Sequence, residues 1–249
     1  YDGSAFARHH DIVFVGVNYR LGALGFLQAE GVSPANLGLR DQHAALRWVQ
    51  ENIEAFGGNP HEVTLVGQSA GAISAFALLA RDDSRTLFHR AILQSGRLSS
   101  LSSAEDSLAA GQAVVAASGM APEAFRSMPL EELLALQVAQ IRAGASEFAK
   151  TLTPFRPCAD GEFIPTETVA AAVRNARNIP IMIGWTRDEM AAFFAGNEQI
   201  LSASPDTVRG ALERDWGGNW RDGERFAQVR TPGAGQDQML DAAINECMF

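Results

Sequence analysis

A serine between two glycines is the residue of this chain with the clearest potential for chemistry. Ser69 lies in the segment Gly67-Gln68-Ser69-Ala70-Gly71, after an apolar run at 62–66 and before an alanine-rich stretch at 72–79. This order predicts a strand, a tight turn and a helix, with the serine at the apex. Side chains at both flanks would collide in such a turn, so we expect glycine to be required at each. The pattern also occurs by chance in glycine-rich turns, but the flanking strand and helix favour a nucleophile.

A serine in this position is suited to acyl transfer. The first backbone N–H groups of the helix after Ser69 would point toward the reaction centre and stabilise an oxyanion there. A serine hydroxyl is a weak nucleophile, and it needs a base, usually a histidine that a carboxylate orients. The sequence should therefore also supply an acid and a histidine.

Two acids follow a later apolar run at 179–184. Active sites of parallel sheets form beyond the carboxyl ends of the strands, so Asp188 or Glu189 could orient the base. The alternative is that both are solvated residues at the start of a helix, where acidic side chains favour the helix dipole. The spacing alone leaves these two interpretations open.

The histidines do not fit the expected order. A serine at the turn between a strand and a helix, here residues 67–71, is called a nucleophile elbow. In α/β-hydrolases, which contain such an elbow, the histidine follows the acid in the chain. All five histidines precede Asp188, and we interpret each as structural or solvated; they are His9, His10, His43, His61 and His89. The chain thus carries a nucleophile and an acid, but no histidine in the position expected for the base.

The remaining sequence predicts alternating strands and helices. Apolar runs at 11–18, 89–96 and 179–184 are typical of buried strands. Helices are predicted at 39–56, 103–117 and 129–143 and over most of the chain from 188 onward, with Pro154 to Pro165 irregular. This alternation predicts an α/β fold with a mainly parallel sheet.

Composition excludes several classes of function. The 249 residues carry a net charge of −9, which argues against a nucleic-acid partner because phosphates require a basic face. No apolar run is long enough to span a membrane. Two cysteines, Cys158 and Cys247, cannot form a disulfide framework; we expect buried thiols, with a single bridge as the alternative. No residue pattern indicates a cofactor or a metal site.

A series of ordered motifs resembles the type-B carboxylesterase/lipase family, which includes bacterial para-nitrobenzyl esterases, animal carboxylesterases and cholinesterases. The motifs are YDGS at 1–4, NYRLG at 18–22, GFL at 25–27, NLGLRDQ at 36–42, ALRWVQENI at 45–53, FGGNP at 56–60, GQSAG at 67–71, AILQSG at 91–96 and PIMIGWTRDE at 180–189. The bacterial para-nitrobenzyl esterases are the most similar, because the cysteine pairs of secreted animal members are missing. The resemblance implies an α/β-hydrolase fold.

The resemblance also implies roles at matching positions. Ser69 corresponds to the nucleophile, and Glu189, rather than Asp188, corresponds to the acid. The backbone N–H of Ala70 corresponds to one oxyanion donor. Ser95 corresponds to a buried serine that supports the acid and the base.

Other positions imply structural roles or depart from the family pattern. Arg20 and Asp41 correspond to a buried ion pair beside the site. Gln68 stands where the family usually has glutamate, so a buried anion is lost although the shape of the elbow should be kept. Met190 replaces the glycine that usually follows the acid.

From this resemblance we expect residues 1–249 to form a single partial α/β-hydrolase domain, with helical lid and gorge regions at 97–150 and 190–249. The family's glycine-rich oxyanion segment would precede residue 1, and its catalytic histidine would follow Phe249. The predicted function is a serine carboxylesterase for small apolar or aryl esters, nearly inactive as this chain alone. The alternatives are a non-catalytic scaffold or adhesion protein and a carbamate or amide hydrolase. A bacterial cytoplasmic location is favoured over secretion, and nothing indicates the oligomeric state.

Overall fold

The chain divides into two structural units. The computed structural model describes residues 2–96, 101–144, 154–189 and 196–216, with six single residues beyond them: 221, 222, 225, 229, 232 and 233. The first unit comprises 1–96, 100–141 and 152–183, and the second comprises 97–99, 142–151 and 184–249. Met190, Cys247 and most of the predicted gorge region at 190–249 lie outside the described residues.

Helices and strands alternate along the first unit, as the sequence predicts. The helices are α1 Ser4–His10, α2 Gly22–Phe26, α3 Leu37–Asn52, α4 Ala70–Leu79, α5 Ser84–Leu87, α6 Ala104–Ala117, α7 Pro122–Phe125, α8 Leu130–Gly144 and α9 Thr168–Ala176. The strands are β1 Thr64–Gln68, β2 Arg90–Gln94, β3 Ser102–Ser103, β4 Cys158–Ala159 and β5 Ile181–Gly184. Short 3₁₀ helices at Ile53–Phe56 and Pro60–Glu62 connect α3 to β1.

The central sheet of the described residues has the strand order β1-β2-β5. Strands β1 and β2 run parallel, with Thr64 opposite Arg90 and Gln68 opposite Gln94. The N–H of Ala91 donates to the carbonyl oxygen of Pro180 at 3.0 Å, which joins the chain entering β5 to β2. The carboxyl ends of β1 and β2 therefore lie side by side, and the segment containing Ser69 begins there.

Helix α4 packs directly on the sheet. It contacts β1 and β2 as well as helices α3 and α9. Its sequence is apolar on nearly every side, and Ala72 and all residues from Ser74 to Leu79 are buried. A helix that is hydrophobic all round is stable only inside a core, so α4 is held rigidly beneath the residue that precedes it.

Helix α3, in the segment predicted to be helical, lies beside α4 and carries an apolar stripe. Leu46, Val49 and the following Ile53 are buried, whereas Trp48 is exposed and packs against Phe56 with ring centroids 5.6 Å apart. A larger cluster joins α2, α3 and α6 to the 154–165 segment. Its buried members are Ala23, Phe26, Leu27, Ala29, Leu39, Ala77, Val114, Val115, Phe125, Phe155 and Ile164.

The strand predicted at 11–18 is wrong. Residues 11–20 have no regular secondary structure, and the side chains of Ile12, Phe14 and Val17 are 40–48% exposed. An extended segment becomes a strand only when a neighbour pairs with its N–H and C=O groups. No strand within the described ranges pairs with this one. Residues 22–26, just after this segment, form the short helix α2.

Among its described residues, the second unit forms the helices α10 Glu198–Leu201 and α11 Pro205–Trp216. The hydroxyl of Ser204 accepts a hydrogen bond from the N–H of Thr207 at 3.2 Å and thereby caps the start of α11. Both helices lie in the part of the chain predicted to be mostly helical.

Candidate active site

Ser69 occupies the junction of β1 and α4, because β1 ends at Gln68 and α4 begins at Ala70. Its backbone has φ 54° and ψ −119°, a region that residues with a side chain rarely adopt. Such a conformation costs about 1–3 kcal/mol and is kept only where the surroundings impose it. The side chain is exposed. The predicted strand, strained turn and helix are therefore confirmed.

Hydrogen bonds on both sides impose this backbone conformation. The N–H of Ser69 donates to the carbonyl oxygen of Gln94 at 2.8 Å, at the end of β2. The carbonyl oxygen of Ser69 accepts from the N–H groups of Ala72 at 2.9 Å and Ile73 at 3.1 Å, in the first turn of α4. The backbone of Ser69 is thus held between the sheet and the helix, which fixes the position from which its side chain projects.

The two glycines of the pentapeptide are not equivalent. A Cβ atom on Gly67 would lie 2.2 Å from the carbonyl oxygen of Gly71 and 2.6 Å from the nitrogen of Ala72. A Cβ atom on Gly71 would meet none of the described atoms outside its own helix backbone within 4 Å. The requirement for glycine at position 67 follows from this close approach, whereas the expected collision at position 71 is wrong for the described residues.

The exit of β2 forms a second unusual turn next to the serine. Ser95 has φ 52°, and a Cβ atom on Gly96 would lie 2.5 Å from the Cβ of Ala72. The family resemblance gives Ser95 a predicted role, whereas Gly96 has none from the sequence. The available signal was the Gln-Ser-Gly sequence directly after a buried strand, where a turn needs unusual backbone angles.

Three residues predicted to act around Ser69 lie at this junction. Ala70 is the first residue of α4, where an N–H group has no partner inside the helix. Gln68 is exposed at the end of β1, and Ser95 is half-buried. These positions are compatible with the expected oxyanion donor and supporting residues, and their roles remain predictions.

Glu189 belongs to the second unit. Its Oε1 accepts a hydrogen bond from the N–H of Thr186 at 2.6 Å. The Glu189 side chain is half-buried, whereas the neighbouring Asp188 is exposed. This hydrogen bond holds the Glu189 carboxylate in the turn after β5, and its role as the orienting acid remains a prediction.

Arg20 and Asp41 form the expected ion pair. The guanidinium of Arg20 donates to both carboxylate oxygens of Asp41, at 2.7 and 2.5 Å, and the backbone N–H of Arg20 adds a third bond at 3.0 Å. These bonds hold the pKa of Asp41 below its usual value and raise the pKa of Arg20. The side chains are 45% and 27% exposed, so the expectation of a buried pair is wrong.

The carbonyl oxygen of Arg20 leaves no room for a side chain at two nearby glycine positions. A Cβ atom on Gly25 would lie 2.1 Å from this oxygen, and one on Gly38 would lie 2.5 Å from it. Glycine at both positions lets α2 and α3 approach the chain that carries the ion pair.

The histidines have other partners in the first unit. His43 Nε2 lies 2.8 Å from Asp83 Oδ2, which also receives a hydrogen bond from Arg81. Partial burial would raise the pKa of Asp83, but the hydrogen bonds from Arg81 and His43 outweigh it and lower this pKa. His43 is therefore structural, as predicted.

His61 and His89 lie at the opposite end of β1 and β2 from Ser69. Their rings meet edge to face with centroids 6.3 Å apart, and His89 Nδ1 accepts from the N–H of Val63 at 3.4 Å. Burial lowers the pKa of His89, and the nearby His61 and Arg90 lower it further. His9 and His10 are exposed residues of α1.

Cys158 is a buried free thiol, as expected, and burial raises its pKa. Within the described ranges, no three His, Cys, Asp or Glu side chains are placed to hold a metal ion. Of the helices that the structure describes, none is both long and apolar enough to cross a membrane.

Comparison with known proteins identifies the family. A model of the carboxylesterase family matches residues 1–219. The chain belongs to the carboxylesterase family. Two bacterial relatives of this carboxylesterase chain are phenmedipham hydrolase of Pseudarthrobacter oxydans and para-nitrobenzyl esterase of Bacillus subtilis, each 39% identical over 219 residues. The matches cover 87% and 86% of this chain, but only 43% and 44% of the relatives.

Solved carboxylesterase structures show the same fold. A carboxylesterase of Geobacillus stearothermophilus superposes with a TM-score of 0.87 at 34% identity, covering 100% of this chain and 53% of that one. A thermophilic para-nitrobenzyl esterase gives 0.76 at 33% identity, covering 93% of this chain and 47% of the other. The predicted α/β-hydrolase fold is confirmed, and the chain spans about half the length of the proteins it matches.

Proposed function

We propose that the complete gene product containing this chain is a carboxylic ester hydrolase that acts through an acyl-enzyme on Ser69. The main support is the strained backbone of Ser69 at the strand–helix junction, in a chain of the carboxylesterase family. Strain of this kind contributes nothing to stability, so its presence at a serine favours a chemical role.

The proposed reaction has two steps. Ser69 Oγ attacks the ester carbonyl while a histidine takes its proton, and the Ala70 N–H donates to the oxyanion. The intermediate collapses, the alcohol leaves with the proton from the imidazolium, and the acyl group stays on Ser69. Water, deprotonated by the same histidine, then attacks the acyl carbon, and the proton returns to Ser69 as the acid is released. Glu189 orients the histidine, which the family pattern places after Glu189 in the chain.

The proposed substrates are small apolar or aryl esters. One relative is named as a para-nitrobenzyl esterase, which supports small ester substrates with an aromatic part. A carbamate or amide hydrolase is the second candidate, since another relative, 43% identical over 208 residues, is named as a probable N-octanoylanthranilate hydrolase. The same serine mechanism would serve both.

A non-catalytic scaffold is the less favoured alternative. Ser69 and Glu189 are both present, and a binding surface would gain nothing from a strained serine. The 249-residue chain assayed alone is proposed to be nearly inactive, because no histidine follows Glu189 and removing one member of a triad leaves only residual catalysis.

The test measures hydrolysis by the complete gene product. A panel of matched para-nitrophenyl esters, anilides and carbamates gives the leaving-group preference, and a fluorophosphonate probe followed by peptide mapping identifies the labelled residue. We expect ester turnover and labelling at Ser69, both absent in Ser69→Ala and both kept in Ser127→Ala, which removes an exposed serine. Labelling at a residue other than Ser69, or no hydrolysis of any substrate in the panel, would contradict the proposal.

A further inference from the structure

The exit of β2 and the first turn of α4 approach each other more closely than side chains normally allow. A Cβ atom placed on Gly96 would lie 2.5 Å from the Cβ of Ala72. It would lie 3.3 Å from the carbonyl carbon of Ala72 and 3.4 Å from its Cα. Gly96 is buried and Ala72 is completely inaccessible. A Cβ atom on Gly96 could therefore be accommodated only if one of the two segments shifted.

Ala72 is linked directly to the nucleophile. Its N–H donates to the carbonyl oxygen of Ser69 at 2.9 Å, while the Ser69 N–H donates to Gln94 at the end of the same strand that leads to Gly96. Both peptide groups of Ser69 are therefore bonded to the two segments that meet at the Gly96–Ala72 contact. A change in the distance between these segments must rotate the Ser69 peptide planes.

We propose that Gly96 is a positioning residue for Ser69, an inference that rests on the proposed function. Its missing side chain lets β2 and α4 approach until the backbone of Ser69 is forced to a positive φ, which places Oγ and the Ala70 N–H around one point. Van der Waals contact between carbon atoms ordinarily begins at 3.4 Å, so a methyl group at position 96 would need a displacement of about 0.9 Å (3.4 minus 2.5). A displacement near 1 Å at an active site can reduce the rate roughly 100-fold.

The contact makes a reciprocal test possible. In the complete gene product, Gly96→Ala adds the methyl group, and Ala72→Gly removes the atom that it would strike. The double variant leaves the remaining neighbours at 3.3 and 3.4 Å, which small adjustments can accommodate. Gly210→Ala serves as the matched control. A Cβ atom on Gly210, an exposed residue of α11, would meet none of the described residues within 4 Å beyond its own helix backbone.

Two rates and one stability measurement separate positioning from general damage. We expect Gly96→Ala to lower kcat and the rate of fluorophosphonate labelling at Ser69 by roughly 100-fold with little change in KM. The double variant should recover most of this loss. Thermal unfolding should show that Gly96→Ala is still folded at the assay temperature. Gly210→Ala should retain the wild-type rates.

The outcomes are distinct. A Gly96→Ala variant that labels at the wild-type rate would overturn the positioning role while leaving the proposed function intact. A loss of activity that Ala72→Gly does not relieve would also overturn it, since the Gly96–Ala72 contact would not be the cause. If Gly96→Ala does not fold, the double variant provides the test. Wild-type rates in the folded double variant would support the role of the Gly96–Ala72 contact, and low rates would refute it. Absence of labelling in the wild-type protein would overturn the proposed function itself.

Discussion

A Cβ atom placed on Gly67 would lie 2.2 Å from the carbonyl oxygen of Gly71, yet a Cβ atom placed on Gly71 itself would meet no atom of the described residues within 4 Å beyond its own helix backbone. The two glycines of the serine pentapeptide thus have different physical roles. Gly67 allows the strand to pass under the first turn of α4, whereas Gly71 is not confined by the residues that the structure describes.

This difference predicts opposite effects of the same substitution. Gly67→Ala must shift the backbone of α4 and should lower the free energy of unfolding by more than about 3 kcal/mol. Gly71→Ala should be tolerated, with a gain of up to about 1 kcal/mol, because alanine favours a helix over glycine. Urea unfolding of the two variants measures both changes. Equal destabilisation by the two would show that the first turn of α4 is packed differently.

The strain at Ser69 should appear as a difference between two inactive variants. Ser69→Ala keeps a Cβ atom at φ 54°, whereas Ser69→Gly removes it. Glycine tolerates this backbone conformation, so Ser69→Gly should be more stable than Ser69→Ala by about 1 kcal/mol, despite the greater freedom of glycine in the unfolded chain. Thermal and urea unfolding provide the measurement. If the alanine variant is the more stable, the serine is not strained.

The acids after β5 provide a test of the proposed triad. In the complete gene product, Glu189→Gln should reduce kcat for ester hydrolysis by about 10⁴-fold, because a neutral amide no longer stabilises the imidazolium or its tautomer. Asp188→Asn is the matched control, as an exposed neighbour of the same charge, and should retain most activity. The reverse result would assign the orienting acid to Asp188.

The Arg20–Asp41 pair should make stability depend on pH in a defined range. The pKa of Asp41 is lowered in the folded protein, so its contribution is complete above the unfolded value near 3.9 and is lost as the pH falls through the lower folded pKa. Both side chains are partly exposed, which limits the contribution to about 1 kcal/mol.

The comparison of wild type with Asp41→Asn in urea at pH 7 and at successively lower pH tests this expectation. The difference in unfolding free energy should shrink below about pH 4. Asp206→Asn removes an 89% exposed acid paired with Arg209 and should have a much smaller effect. A difference between wild type and Asp41→Asn that grows toward low pH would contradict the assignment.

Phe163 should stabilise the 154–165 segment through two cations. The guanidinium groups of Arg40 and Arg81 lie 4.6 and 4.1 Å from its ring centroid. Arg81 also donates to the Phe163 carbonyl oxygen at 2.7 Å. Phe163→Leu should therefore lower the unfolding free energy by about 1–2 kcal/mol, at roughly 0.5–1 per cation–π contact.

The controls are Phe163→Tyr, which keeps an aromatic face and should lose much less, and Phe56→Leu, which alters a phenylalanine that is 61% exposed. Urea unfolding midpoints provide the comparison. A loss no larger for Phe163→Leu than for Phe56→Leu would show that the two cations contribute little.

The sequence by itself determined the features that depend on residues adjacent in the chain. The elbow at Ser69 could be predicted because its backbone is constrained within a few residues by a strand, two flanking glycines and the start of a helix. The helix α3 and the strand β2 could be predicted from local residue patterns for the same reason. The ordered motifs also predicted the carboxylesterase family.

Tertiary structure alone decided which segments touch and which do not. The contact of Gly96 with Ala72 joins segments far apart in the chain, and no local pattern encodes its distance. Residues 11–18 have the composition of a buried strand, but strand formation requires a partner backbone, and composition does not supply one. The open space beside Gly71 and the partial exposure of Arg20 and Asp41 likewise depend on what other segments cover. Local backbone preference is encoded in the residue itself, whereas burial and close approach are properties of the surroundings that the whole chain creates.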